Sequence, residues 1–329
     1  MKYSHRFFLW APVAVLVALL SAAVIHWFVA AGAFAKYIDR ANGHEIAPGV
    51  TLHFAHRQLA GFPFRIDLIL DDLKIDIAAS RGPMEWRSEH FAMHTLDYGR
   101  VQAIFEAAGK QTISWTGDDG ARKSLAFTPG LLRASSIDVD GRLSRFDLEL
   151  IDAASSELAA ASLQFHLRRD PKADSLDIVL NADDLRLSPK LKSAFGTGIK
   201  KLRLEATMRP ATTLTPLLSG KRDWRSAMGA WNGAFGISGL DVAWAKLEAT
   251  GSGQLTLDSA HRPRGILNLK IAHPEILATQ VERNQELYAA IMDSVLKQPA
   301  DAAASVRLAF KDGMAYVGDT PVEFVSPLY

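Results

Sequence analysis

Two carboxylate doublets and two close histidine pairs are the residues in this chain whose types and spacing suit acid–base or metal chemistry. Asp71-Asp72 and Asp183-Asp184 bring carboxyl groups together as a general acid and base would require. Neighbouring residues in an extended segment point to opposite faces, however, so both doublets read as turn residues. His53 with His56, and His90 with His94, are too few for zinc, which takes three or four convergent ligands. The chain has no cysteine and no acidic residue at ligand spacing beside them, so these histidines read as surface or loop residues. Serine, histidine and aspartate are present, but nothing in the linear order gathers a triad. No G-x-S-x-G elbow, P-loop, Rossmann fingerprint or H-E-x-x-H occurs. Gly196-x-Gly198 and Gly251-x-Gly253 lack the strand-to-helix context of a phosphate site, and glycine within a strand marks a bulge or close packing. No catalytic, cofactor-binding or metal-binding residue is assigned, no cofactor is expected, and the chain is read as a non-enzyme.

The element that places everything else is the uncharged run Phe7 to Ala35. A bilayer core about 30 Å thick needs about 20 apolar residues as helix. Trp10 near one end and Trp27-Phe28 near the other fit an interfacial belt. A cleaved signal peptide is the competing reading, with Lys2 and Arg6 as its basic region and Ala33-Phe34-Ala35 as a small-x-small site. A signal peptide's apolar core, at about 7 to 15 residues, is shorter than this run. The expected organisation is a tail at 1–6, a transmembrane anchor at 7–35 and one extracytoplasmic domain at 36–329. A short tail before a large domain reads as a signal anchor in the inner membrane, with the domain in the periplasm. Lysine and arginine number 37 against 36 aspartates and glutamates, so no charge excess favours a nucleic-acid partner.

Beyond the anchor, period-two alternation dominates. Phe64, Ile66, Leu68 and Leu70 give way at Asp71-Asp72 to Leu73, Ile75 and Ile77, a phase shift that marks a turn or bulge. The same pattern recurs at 145–150, 163–168, 202–207, 240–244, 265–271 and 306–310, the last turning through Lys311-Asp312-Gly313 into a hairpin. Three stretches break it: 188–195 and 214–231, which are short or ambiguous, and Glu275 to Lys297, an amphipathic helix with Pro274 at its start. The predicted fold is α+β, mostly β: a large curved antiparallel sheet with a few covering helices, after one N-terminal transmembrane helix.

GFPFRIDLILDDLKID, DWRSAMGAWNGAFGISGLDVAW, LEATGSGQLTLDSAHRPRGILNLKI and KDGMAYVGDTPV, following an N-terminal span, resemble the family catalogued as domain of unknown function 2125. The resemblance implies a bacterial envelope protein with one anchor and brings no activity. More distantly, the rhythm of short amphipathic strands is similar to AsmA-like envelope proteins, which implies a long curved sheet able to hold acyl chains.

A long one-sided sheet must cover its greasy face, close on itself or offer that face to an apolar ligand. The leading expectation is a groove for lipid or another apolar ligand, lined by Phe64, Ile66, Leu68, Leu204, Val242, Trp244, Leu267 and Leu269, against the alternative of a dry, filled core. A second expectation is a structural or assembly factor binding another envelope protein through edge strands and tryptophans. A hydrolase with dispersed catalytic residues is the third.

Overall fold

The computed structural model describes residues 5–78, 82–96, 102–117, 119–155, 157–188, 196–222, 224–272 and 304–327. The apolar run forms a single helix, α1 (His5–Ala41). With no proline after Pro12 to stop it, the helix continues past Ala35 into the polar stretch that begins at Lys36. At 1.5 Å per residue it is about 55 Å long, well beyond what a bilayer core needs. Its two halves differ. Val13, Leu16, Leu19, Leu20 and Ile25 are exposed, whereas Trp27, Ala31, Ile38 and Ala41 are buried and Phe34 packs on the same cluster as Ile38. Spacings of three and four keep those five on one helical face. The packed unit therefore begins inside the helix, at Trp27, rather than at Lys36.

Among the described residues, eighteen strands follow. They are β1 (His44–Ala47), β2 (Val50–His53), β3 (His56–Ala60), β4 (Arg65–Ile77), β5 (Met84–Leu96) and β6 (Gln102–Thr116); then β7 (Arg122–Phe127), β8 (Leu131–Val139), β9 (Arg142–Ala154), β10 (Leu158–Asp170), β11 (Ser175–Leu187) and β12 (Gly198–Arg209); and finally β13 (Ala234–Trp244), β14 (Leu247–Leu257), β15 (Pro263–Ile271), β16 (Ala304–Lys311), β17 (Met314–Val317) and β18 (Thr320–Phe324). From β4 onward each pairs antiparallel with the next, except that β7 and β8 both lie against β6. The meander continues in the same way through β9 to β18. At the other end β1 pairs with β2, and β2 and β3 share β4. The predicted mostly-β antiparallel fold is the fold observed. Between β16 and β17 the loop residues Asp312 and Gly313 take φ of 52° and 77°, the two positive values a tight hairpin needs.

Alternation is carried across the sheet in register. Leu68, Met93, Phe105, Ala134, Leu148, Phe165, Leu180, Leu204 and Leu240 are successive cross-strand partners. Because side chains alternate with period two, this ladder puts one face of the whole meander in apolar residues. The ladder continues through Gly251 and Leu269 to Val306. A Cβ on Gly251 would sit 2.6 Å from Leu269 Cδ2, and one on Gly253 would collide with the Ile266 carbonyl. These glycines admit close backbone approach, as their place in a strand suggested.

A crease crosses the strands. Asp72, Gly109, Asp152 and Asp184 have φ of 52°, 72°, 50° and 47°, left-handed values that aspartate tolerates better than most side chains. Asp72 and Gly109 lie on either side of Glu89, where the β5–β6 register shifts; Asp152 and Asp184 lie on either side of Ala161. Each left-handed residue resets the alternation of its strand, so Leu70 and Leu73 are both buried, at 2% and 1% exposure. The acidic doublets thus lie within continuous strands rather than at turns: pairing keeps one register through both of them, and the phase shift in the sequence is a left-handed kink at Asp72 rather than a bulge.

Two segments pack on the apolar face. The end of α1 covers Leu52, Leu68, Leu70 and Leu73. Between β12 and β13 the chain forms a 3-10 turn (Thr212–Leu214) and two short helices, α2 (Thr215–Leu218) and α3 (Trp224–Ala230). With Trp231 these form a plug in which Ala211, Leu214, Leu218 and Trp231 pack on Leu176 and Met208. Asp174 holds the plug's start by accepting from Thr212 N at 2.8 Å and Thr212 Oγ1 at 3.0 Å. A third cluster gathers Ile271, Val306 and Val317. The helix expected over Glu275 to Lys297, and most of 188–195, lie outside the described residues.

Candidate apolar ligand groove

Between the end of α1 and the plug the apolar face opens into a cleft of about 370 Å³. Its walls come from β4 to β10: Ile77, Met84, Trp86, Phe91, Phe105, Ala107, Ile113, Phe127, Leu132, Ala134, Leu148, Leu150 and Leu163, with Glu106 as the one charged residue. Cross-strand pairing assembles them, since Phe91 faces Ala107, Ala107 faces Leu132, Leu132 faces Leu150 and Leu150 faces Leu163. Only Ala107 among these apolar liners is buried, the others being half-buried. An aromatic row runs along the cleft, with Trp86 edge-on to Phe91 at 6.1 Å and Phe91 stacked near Phe105 at 6.2 Å.

The crease shapes this site. Trp86 and Phe91 lie on either side of it and share the apolar face because the alternation of β5 breaks between them at Glu89, beside the extra residue of β6 that shifts the β5–β6 register. Polar groups beneath satisfy what the irregularity leaves open, as buried polar atoms must be. Gln111, fully buried, accepts from Trp86 Nε1 at 3.1 Å and donates to the Ala108 carbonyl at 3.1 Å. Ser88 Oγ donates to the His90 carbonyl at 2.7 Å. Gln111 is therefore a positioning residue for the indole that lines the cleft.

The eight residues expected to line a groove are not on the walls of this one. Ile66 and Leu68 are buried, and Leu68 lies under the end of α1. Phe64, one residue before β4, is 55% exposed. Leu204 and Val242 lie on the apolar face further along the meander, opposite Leu240 and Leu202. Trp244 ends β13 and donates Nε1 to the Gly196 carbonyl at 2.9 Å. Leu267 and Leu269 lie in β15, where Leu269 packs against the Ile271–Val306–Val317 cluster. The residues missed, Trp86, Phe91 and Phe105, come from β5 and β6. Their signal was there in the short alternations Met84-x-Trp86, Phe91-x-Met93 and Phe105-x-Ala107, each interrupted by the crease.

The polar face explains the histidines. His94 Nδ1 lies 2.7 Å from Asp67, His90 Nδ1 3.0 Å from Asp71, and His166 Nδ1 2.7 Å from Asp147; His53 lies 3.3 Å from Asp76. The first three are directly opposite cross-strand pairs, whose side chains meet on one face as a matter of register. No group of three or more metal-ligating side chains occurs among the described residues. Burial pushes the Asp147 carboxyl up, but hydrogen bonds from His166 and Arg145 outweigh it and leave its pKa below the ordinary carboxylate value. Glu85 is lowered by its hydrogen bond from Arg87, with burial opposing.

Among the described residues, fold and cleft together define a β-rich, single-sheet protein with one N-terminal helix long and apolar enough to cross a membrane. Residues 27–323 match DUF2125, a family of uncharacterized proteins conserved in bacteria, and the chain belongs to that family. The match opens at Trp27, where α1 begins to pack on the sheet. A comparison with curated proteins returns no match.

Proposed function

We propose that this protein is a non-catalytic envelope protein of the inner membrane, anchored by α1, which holds a lipid chain or similar apolar ligand in the β4–β10 cleft on the periplasmic side. One observation carries the reading: a continuous apolar cleft of about 370 Å³, within the size range of small-molecule sites, lined by side chains whose exposure a dry core would not leave. Leu150 and Phe105 are half-buried, and a hydrocarbon chain laid along them would remove apolar surface from water at about 25 cal/mol per Å². The retained anchor is supported by packing, because cleavage after Ala35 would remove Trp27, Ala31 and Phe34 from the sheet they cover.

The test is photo-crosslinking in the full chain in its own membrane. A photoreactive residue at Leu148 or Leu150, on the apolar face, is compared with one at Glu149, on the opposite face of the same strand. Lipid-mass adducts at Leu148 and Leu150 but not Glu149 are expected. Protein adducts at Leu150 would favour the assembly-factor alternative, and no adduct at either position would mean a face that takes no ligand.

A further inference from the structure

The apolar surface that the cleft leaves unexplained is at one end of β4 and β5. Phe62 is 51% exposed, Phe64 55% and Leu96 45%, beside Phe28 of α1 at 62%. These residues are neighbours. Register pairs Arg65 with Leu96, so the turn before β4 and the end of β5 lie side by side. Trp27 ties both to the helix: its Nε1 donates to the Arg65 carbonyl at 2.8 Å, and its ring meets Phe62 edge-on at 5.3 Å. Phe28 and Phe62 lie 6.0 Å apart.

Helix length says what faces this edge. From Trp10 to Trp27, at 1.5 Å per residue, is about 26 Å, close to the thickness of a hydrocarbon core. Trp27 and Phe28 then fall where the helix leaves the bilayer, and Phe62, Phe64 and Leu96 share that level because they are bound to it. Aromatic side chains are favoured in that layer.

We propose that the Gly61–Phe64 turn and the Leu96 end of β5 seat in the interfacial layer of the same bilayer that α1 crosses, so that the sheet stands edge-on to the membrane. The proposal rests on α1 spanning that bilayer. Phe91, at the cleft, is five residues along β5 from Leu96, or about 17 Å at the rise of a strand. Edge-on docking thus holds the cleft a short, fixed distance above the lipid from which a ligand would come.

The absence of native cysteine permits a direct test. Phe64→Cys, Leu96→Cys and Ser124→Cys are made singly in the full chain and labelled with an environment-sensitive fluorophore. The chain is reconstituted in phosphatidylethanolamine–phosphatidylglycerol vesicles carrying a shallow lipid-borne quencher. Ser124 lies opposite Ser114 of β6, which in turn shares a strand end with Glu85 of β5, the end remote from Leu96. Several-fold quenching with a blue shift is expected at 64 and 96 and none at 124, with the chain floating with the vesicles. A chain that floats with all three probes unquenched overturns the docking and leaves the anchor standing. Equal quenching at all three overturns it too, because the sheet would then lie flat. A chain that does not float defeats the anchor and the docking together.

Discussion

The plug and the cleft are two patches of one apolar face, built from the same alternating strands, and they end up in different states. Under the plug, Leu214 and Trp231 are exposed by 1% and 4%, and Leu176 below them by 3%. At the cleft, Phe105, Leu132, Leu148 and Leu150 remain half-buried. Leu148 and Phe165 are cross-strand partners, as are Phe165 and Leu180, so the two patches grade into each other without a change of pattern. What differs is the connection. The residues between β12 and β13 return over the face and fill it, whereas the connections among the described residues of β6 to β10 are tight turns such as Asp140-Gly141 and leave it open. A sheet's alternation fixes which face is apolar, and the loops decide whether that face becomes core or site.

The comparison breaks most readily at Trp231. Trp231→Ala removes a buried indole and its 3.2 Å hydrogen bond to the Pro210 carbonyl, and is expected to cost about 3–5 kcal/mol, read as a large fall in the urea midpoint. Phe105→Ala, in the cleft, is expected to cost about 2 kcal/mol or less, since a half-exposed ring recovers only part of its transfer energy. It should also weaken lipid crosslinking at Leu150. Equal losses at the two sites would mean that the cleft is core. Gln111→Leu sharpens the picture by leaving the Trp86 N–H without its acceptor, at a cost of about 1–2 kcal/mol. A changed Trp86 fluorescence should accompany it.

The smallest effect is on the polar face. The folded pKa of Asp147 lies below its ordinary value, so its contribution is present at neutral pH and is lost as the pH falls through the lowered value. Asp147→Asn should cost about 1 kcal/mol or less at pH 7, because its partners Arg145 and His166 are 55% and 42% exposed and solvent screens the pair. The difference from wild type in unfolding midpoint should vanish in acid. A difference that grows as the pH drops would contradict the assigned sign.

Much of this architecture was legible beforehand. Leu73, Ile75 and Ile77 announced β4, Phe146 to Leu150 announced β9, and Lys311-Asp312-Gly313 announced the β16–β17 hairpin, because local alternation and turn chemistry speak within a few residues. β5 and β6 were not read, although they carry the cleft's aromatics. Their alternation is broken at Glu89 and Gly109, and a bulge looks like noise until the strand beside it shows a matching break. The expected liners fall outside the β4–β10 cleft for a related reason. Alternation put Leu68 and Phe105 on the same face equally well, but only the path of α1 and of the plug distinguishes a covered position from an open one.

By itself, then, the sequence determined an apolar N-terminal helix, a meander of antiparallel strands and the division of its side chains between a greasy and a polar face. These follow from hydrophobic length and period, which are properties of neighbours along the chain. Tertiary structure alone decided that α1 packs on the sheet from Trp27, that Asp72, Gly109, Asp152 and Asp184 line up as a crease, and that the cleft falls between helix and plug. Each of these depends on which distant segments meet, and the free energy of burying one surface against another is not encoded at any single position.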